Sequence, residues 1–202
     1  MKILHYTNIT PSGAWVDGSQ LNYTEQGSEL LTAIYRKLVG DYPKFFKMDA
    51  LCRLGFIASE LLLQEDTNRF EPREDRAIVL FNRSSSLCDD RNYQSTIADR
   101  GENYFPSPAI FVYTLPNIVT GEISIRNKYL GETSFYVLEK LNTTTIEQVV
   151  TDAFQDETTT SILGGWLDCE DKEHFEAHLF LIDKEGKDGL TWNEQTINEL
   201  IK

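Results

Sequence analysis

The sequence predicts an α/β fold, a mixed sheet covered by helices, and three observations carry that prediction. Short apolar runs of strand length recur at Ala77–Phe81, Phe135–Leu138, Ser161–Leu167 and Phe175–Ile182. Stretches of helical apolar periodicity, several opened by cap-forming residues, separate most of them. A chain of 202 residues, 41% hydrophobic and with eleven phenylalanines, is long enough for one domain with a sizeable core and too apolar for disorder.

The elements follow in order. Met1–Thr7 reads as a first strand, and residues 8–22, with Pro11, Gly13 and Gly18, as a loop. Ser28 is an N-cap candidate for a helix ending at Gly40, with Leu30, Leu31, Ile34, Tyr35 and Leu38 on one face. Asp41-Tyr42-Pro43 breaks it. A second helix is expected from about Phe45 to Gln64 on the stripe Met48, Leu51, Leu54, Ala58, Leu61 and Leu62. A charged linker, 65–76, leads to the buried strand Ala77–Phe81, a polar turn at Asn82–Ser86 and a short helix over Asp89–Ala98. Pro106 and Pro108 mark a loop, and Pro116 opens a largely apolar helix reaching Leu130. After the strand Phe135–Leu138, Thr144-x-x-Glu147 is a capping-box pattern for a helix to about Phe154. Ser161–Leu167 and Phe175–Ile182 form a hairpin, and Thr191-x-x-Glu194 caps a terminal helix. The order is βα(α)βαβαββ, without repeats or a second domain, so residues 1–202 are expected to form one unit.

Charge excludes several partner classes. The net charge is −13, with −1 over residues 1–70, −3 over 71–150 and −9 over 151–202. Such a balance opposes binding to nucleic acid or an anionic membrane. No apolar run reaches the ~18 residues of a membrane span. MKILHYTN is too poor in apolar residues for a signal peptide, and three scattered cysteines suggest a reducing compartment, so the cytoplasm is the expected location.

Local chemistry is sparse. Cys88 precedes Asp89 and Asp90, and Cys169 lies among Asp168, Glu170 and Asp171; nearby carboxylates raise a thiol pKa, the wrong direction for a nucleophile. Cys52 lies beside an apolar stripe and reads as a core residue. His174, Glu176 and His178 alternate and would share a strand face as potential metal ligands. The alternating Phe175, Ala177 and Leu179 explain the pattern more simply, as the buried face of a half-exposed strand, so no metal site is assigned. Ser84-Ser85-Ser86 lacks a G-x-S-x-G elbow and reads as a turn. No glycine-rich nucleotide motif occurs, and no cofactor is expected.

One segment carries a resemblance. From Phe105 to Lys140 the chain contains Tyr113-Thr114-Leu115-Pro116-Asn117-Ile118-Val119-Thr120-Gly121, then Ile123, Ile125 and Gly131. It resembles the β-ketoacyl synthases, in which an S/T-x-x-N-M-x-x-G helix leads through a Gly-Pro turn into a strand ending at the nucleophilic cysteine. Aligned without gaps from Asn117 and Gly121, the turn glycine falls on Gly131 and the nucleophile position on Lys140. The resemblance covers about three quarters of the chain, best between Ala77 and Lys140. It implies the thiolase fold, whose two similar halves carry the cysteine and two activating histidines respectively. Only 62 residues follow Lys140, and His5, His174 and His178 stand in no G-T-x-x-x-D or N-x-x-x-G-H context. The chain therefore looks like the first half alone, without the nucleophile. A thiolate is what accepts the acyl chain as a thioester; an amine would trap it as an amide.

The resemblance implies a non-catalytic subunit of the chain-length-factor type, working in fatty acid, polyene or polyketide biosynthesis beside an active ketosynthase. Two alternatives stay open: a self-associating interaction module without acyl chemistry, and half of a split acyltransferase. An acyl carrier protein is a further expected partner, with Arg73, Arg76, Arg83, Arg91 and Arg100 as its docking candidates, although acidic residues interrupt them. Two structural expectations follow. The helix Pro116–Leu130 should bury Gly121 near a strand. The strand Thr133–Leu138, with Lys140 as an edge charge, should form an interface in a homodimer or in a heterodimer with a full ketosynthase.

Overall fold

Strand β1 runs over Lys2–Thr10 and turns directly into β2 (Gly13–Val16) and the short β3 (Ser19–Gln20). The computed structural model describes residues 1–66, 68–98 and 106–201. The expected loop over 8–22 is thus largely sheet, because Asp17 and Gly18 both take left-handed backbone angles and close a tight hairpin. Asp17 also accepts the Tyr6 backbone N–H (2.8 Å), which pins the hairpin to β1.

Helix α1 spans Gly27–Ile34, followed by a wide π turn over Tyr35–Val39 that ends on Gly40 at φ 70°. Its N-cap residue is Gln26 and not Ser28, and no side chain caps it. A 3₁₀ turn at Pro43–Lys47 precedes α2, Ala50–Leu62. Asp49 sets that later start by accepting from the backbone N–H groups of Leu51 and Cys52. Strand β4 (Arg76–Asn82) is buried throughout, as its unbroken apolar run requires. Helix α3 covers Leu87–Ala98. The proline-marked loop contains one helical turn, α4 (Pro108–Phe111), because Ser107 accepts the Ile110 N–H and Pro108 suits a first-turn position. Helix α5 is Ile118–Asn127, shorter than expected at both ends, and β5 is Thr133–Val137.

Helix α6 occupies Thr143–Ala153, β6 Ser161–Cys169, β7 Phe175–Asp183, β8 Leu190–Thr191 and α7 Glu194–Leu200. Neither expected capping box forms. Asn142 caps α6 through the Thr145 N–H and Asn193 caps α7 through the Thr196 N–H. Asparagine in the preceding extended residue does the same work, which frees Thr144 to donate to Glu194 (2.8 Å) and tie the two helices together.

The sheet order is β3-β2-β1-β7-β6-β4-β5, with β8 alongside one end of β1. β5, β4 and β6 are parallel; β7 is antiparallel to both β6 and β1. The expected β6–β7 hairpin is present over its full length. β7 is not half-exposed: Phe175, Ala177 and Leu179 face one core, while His178, Phe180 and Ile182 are buried on the other face. Each sheet face has its own core. On one, Ile78, Leu80 and Leu163 pack with α1, α2 and α5; on the other, Ala77, Val79, Phe81 and Trp166 pack with α6, Trp192 and Ile197 of α7. The alternation along β4 divides its run between the two cores.

Helix α5 lies on α2 through Val119 and Ile123, and the close approach is made by Gly55, where a Cβ would collide with Val119 and Leu167. Gly121, expected to be buried near a strand, has nothing within 4 Å of an added Cβ. The helix is turned so that Gly121 faces outward, because Glu122, Arg126 and Asn127 are drawn to polar partners on the α2 side. Glu122 pairs with Lys44, Arg126 with Glu60 and Asp41, and Asn127 accepts from Arg69.

Candidate functional site

The parallel strands β4, β5 and β6 end side by side, and α/β folds place their chemistry at such carboxyl ends. After β4, Asn82 folds back on itself. Its amide donates to the Ser85 carbonyl (2.9 Å) and its Oδ1 accepts the Ser85 N–H (3.1 Å). Asp168, near the end of β6, accepts from the backbone N–H groups of Arg83 (3.0 Å) and Ser84 (2.8 Å) and from the Ser84 hydroxyl (3.1 Å). Ser86 donates to the Thr114 carbonyl (2.5 Å) ahead of α5. The three serines thus serve the turn. The anchor Asp168 was missed at the sequence level, where an aspartate at the end of an apolar run was its only signal.

Beside this turn, the Leu138 N–H donates to the Asn82 carbonyl (2.8 Å), extending the β4–β5 ladder by one bond. Lys140 lies two residues further, exposed, on a bend before α6. No hydrogen bond or ion pair reaches it among the described residues. Gly131, aligned with the family's turn glycine, lies where a Cβ would meet the carbonyl oxygens of Arg76 (2.5 Å) and Glu74 (2.7 Å). This approach lets the chain enter β5 against the start of β4.

The thiols stand apart from Lys140. Cys52 is buried in α2 and Cys169 at the end of β6; Cys88 is half-buried in α3. Burial is the first cause raising all three thiol pKa values, with carboxylates adding to it: Asp49 for Cys52, Asp89 for Cys88, Asp49 and Asp168 for Cys169. All three are therefore thiols and not thiolates at neutral pH.

Of the three alternating residues of the last hairpin, Glu176 and His178 stay within 3.8 Å of each other and His174 stands apart. His174 lies before β7, exposed, and pairs with Asp171 (2.9 Å). His178 is buried and bonded to Asn8 (2.7 Å), and Glu176 accepts from the Trp166 indole (2.7 Å). Nor do the arginines form a patch. Arg73 is bidentate to Asp75, Arg76 is buried against Asp66 and Tyr129, and Arg83 pairs with Glu170. Arg91 is exposed, and Arg100 lies outside the described residues, as does Phe105 at the head of the resembling segment.

β5 is the outer strand of the sheet, with β4 on one side only. Tyr136 and Val137 are exposed on it, Val137 to 53%. Phe111, Val112 and Leu115 are exposed on the segment before α5, as are Ile125 and Leu130 in and after it. No helix among the described residues is long and apolar enough to cross a membrane.

No family model matches the sequence, and no curated protein shows significant sequence similarity to it. Solved structures do resemble it. One is a chain of the ketosynthase ApeO in complex with its chain length factor ApeC from Xenorhabdus doucetiae, with a TM-score of 0.55 at 14% identity over 99% of this chain and 90% of that one. Another is the ishigamide ketosynthase/chain length factor, with a TM-score of 0.61 at 16% identity, covering 91% of this chain and 62% of that one. A third is the complex AntDE:AntF, a type II PKS acyl-carrier protein with its ketosynthase bound to the hexaketide. It has a TM-score of 0.55 at 12% identity, covering 91% of this chain and 63% of that one. The chain spans less than two thirds of the latter two, whereas the matched chain of the first is of comparable length. With a mixed sheet that carries helices on both faces, the molecule has the mixed α/β, thiolase-like fold of ketosynthases and chain length factors.

Proposed function

We propose that the protein is a non-catalytic ketosynthase-like subunit of the chain-length-factor type, acting with a full ketosynthase in fatty acid, polyene or polyketide biosynthesis. The observation that carries the reading is the end of β5. Where the family's alignment places a thiolate, the chain presents an exposed Lys140, and the three thiols lie elsewhere with raised pKa values. An exposed lysine is a solvated charge and does not supply the nucleophile that acyl transfer needs. The open β5 edge and the apolar residues near it supply the means of pairing, by strand addition or face-to-face packing. An acyl carrier protein would visit the pair, and Arg83 and Arg91 are the exposed candidates among the described residues for contacting it from this chain.

Two measurements test the reading. The purified protein, incubated with acyl and malonyl thioesters on a carrier protein, should gain no covalent acyl mass. Co-expressed with a full-length ketosynthase from the same genome, it should co-purify and raise product formation, and Lys140→Ala should change neither. An acylated protein that releases product would overturn the non-catalytic reading. Failure to co-purify, with self-association instead, would favour the scaffold alternative, and activity appearing only with a chain that supplies a second half would favour the split enzyme.

A further inference from the structure

β5 has β4 on one side and no strand on the other among the described residues, so the backbone groups along its outer edge have no ladder partner. A groove of about 380 Å³ runs beside this edge, between β5 and α6. It is there because α6 lies over β4 and β6, and β5 is the next strand out. Tyr136, stacked on Phe81 with ring centroids 5.2 Å apart, supplies apolar surface on the β5 side, and Val149 and Ala153 supply it on the α6 side. Three exposed carboxylates stand around it: Glu132 just before β5, Asp152 near the end of α6 and Asp156 after it.

No ion pair neutralises these carboxylates among the described residues. Glu132 accepts from the Ser134 hydroxyl (3.2 Å) and Asp152 from the Gln155 amide (3.2 Å). Asp156 accepts from the Thr158 and Thr159 hydroxyls (3.3 and 2.9 Å), and Lys184 donates to its backbone carbonyl (3.3 Å) and not to its carboxylate. No basic side chain lines the groove. An apolar trough with an acidic rim suits a lysine or arginine, whose methylenes lie on apolar surface while the charged head reaches outward. In a strand added to β5, every second side chain falls on the groove side.

We propose that β5 accepts, by strand addition, an extended segment of a partner protein that carries lysine or arginine at alternate positions, with those basic side chains in this groove. The inference rests on the pairing of β5 proposed above and adds the chemistry of the strand that pairs. Main-chain hydrogen bonds give such an addition its affinity, and the side chains at alternate positions give it specificity. A second copy of this chain is the poorer occupant. Its own β5 has no basic residue from Thr133 to Val137, and it brings Glu132 and Glu139 with Lys140 alone to offset them. A charge of −13 on each copy adds a general repulsion.

The test is fluorescence anisotropy of labelled synthetic peptides titrated with the full chain. A peptide alternating lysine with valine should bind, and raising salt from about 0.05 M to about 0.5 M should weaken it roughly tenfold. Its glutamate counterpart should not bind, and a peptide with the same lysines grouped at one end should bind more weakly. N-methylation of every second amide should abolish binding in one frame and spare it in the other, because only one row of N–H groups faces β5. Glu132→Gln, Asp152→Asn and Asp156→Asn together should weaken binding about tenfold and leave the urea midpoint unchanged. The salt and N-methylation results on the wild type carry the test should that variant not fold. No binding at about 1 mM, equal binding of the glutamate or grouped peptide, or indifference to both N-methylation frames would overturn the proposal. A chain that co-purifies with a ketosynthase but binds no such peptide would sink this inference and leave the subunit reading standing; peptide binding without any ketosynthase partner would do the reverse.

Discussion

Two glycines of the ketosynthase-like segment have opposite roles. Gly131 packs against backbone carbonyls of Glu74 and Arg76, which cannot yield without moving the start of β4. Gly131→Ala should cost on the order of 1–3 kcal/mol in urea unfolding. Gly121 faces open space in a helix, so Gly121→Ala should instead stabilise by about 0.5–1 kcal/mol. Asp89 gives a pH signature. Its folded pKa is raised, so between the unfolded value near 4 and the folded value of about 7 the native state holds a proton that the unfolded chain has lost. Stability should fall with rising pH across that window and level off above it. Asp75, held low by the Arg73 guanidinium, has the opposite sign: its contribution is present above about pH 4 and lost below. Unfolding measured from about pH 5 to about pH 8 lies clear of Asp75, and the difference between wild type and Asp89→Asn in that window gives the Asp89 contribution.

At the scale of elements, β5 is a strand with an unused edge, while α6 is finished on its outer side. Thr144, Gln148 and Asp152 make the outward face of α6 polar, and α7 is fastened to it through Thr144–Glu194 and through Thr143–Asn198 (3.0 Å). Apolar exposure lies instead on β5 and on the α4–α5 segment. Val137→Lys places a charge on that surface without disturbing either core. It should reduce association in sedimentation while shifting unfolding by no more than about 0.5 kcal/mol. Unchanged association would move the interface to the segment carrying Phe111, Val112 and Leu115.

The molecule as a whole divides its apolar side chains between two cores, one on each face of the sheet. The surface left over contains several large exposed apolar residues, which an isolated chain rarely keeps together. Sedimentation at tens of micromolar should show a dimer, or a complex when a ketosynthase partner is present. A stable monomer that recovers no partner would leave the exposed face unexplained by pairing. With a net charge of −13, the protein should show no retention on immobilised DNA even at low salt.

Strand and helix identity was legible where one side-chain period dominates a stretch. Ala77–Phe81 is uniformly apolar because both of its faces are buried, and the stripe from Leu51 to Leu62 is a helix face. The sequence could not reveal which way α5 faces: ion pairs between residues far apart in the chain rotate it, so Gly121, expected against a strand, faces outward. Nor could it show that Thr144 and Glu194 meet each other and cap nothing, or that His178 turns inward to Asn8 while His174 stays in solvent. The sequence alone determined the α/β class and the strand runs, since these depend on local periodicity and spacing. Tertiary structure decided the free edge of β5 and the Asp168 anchor, because the strand order and the approach of β6 to the turn at Arg83 and Ser84 exist only in the folded chain.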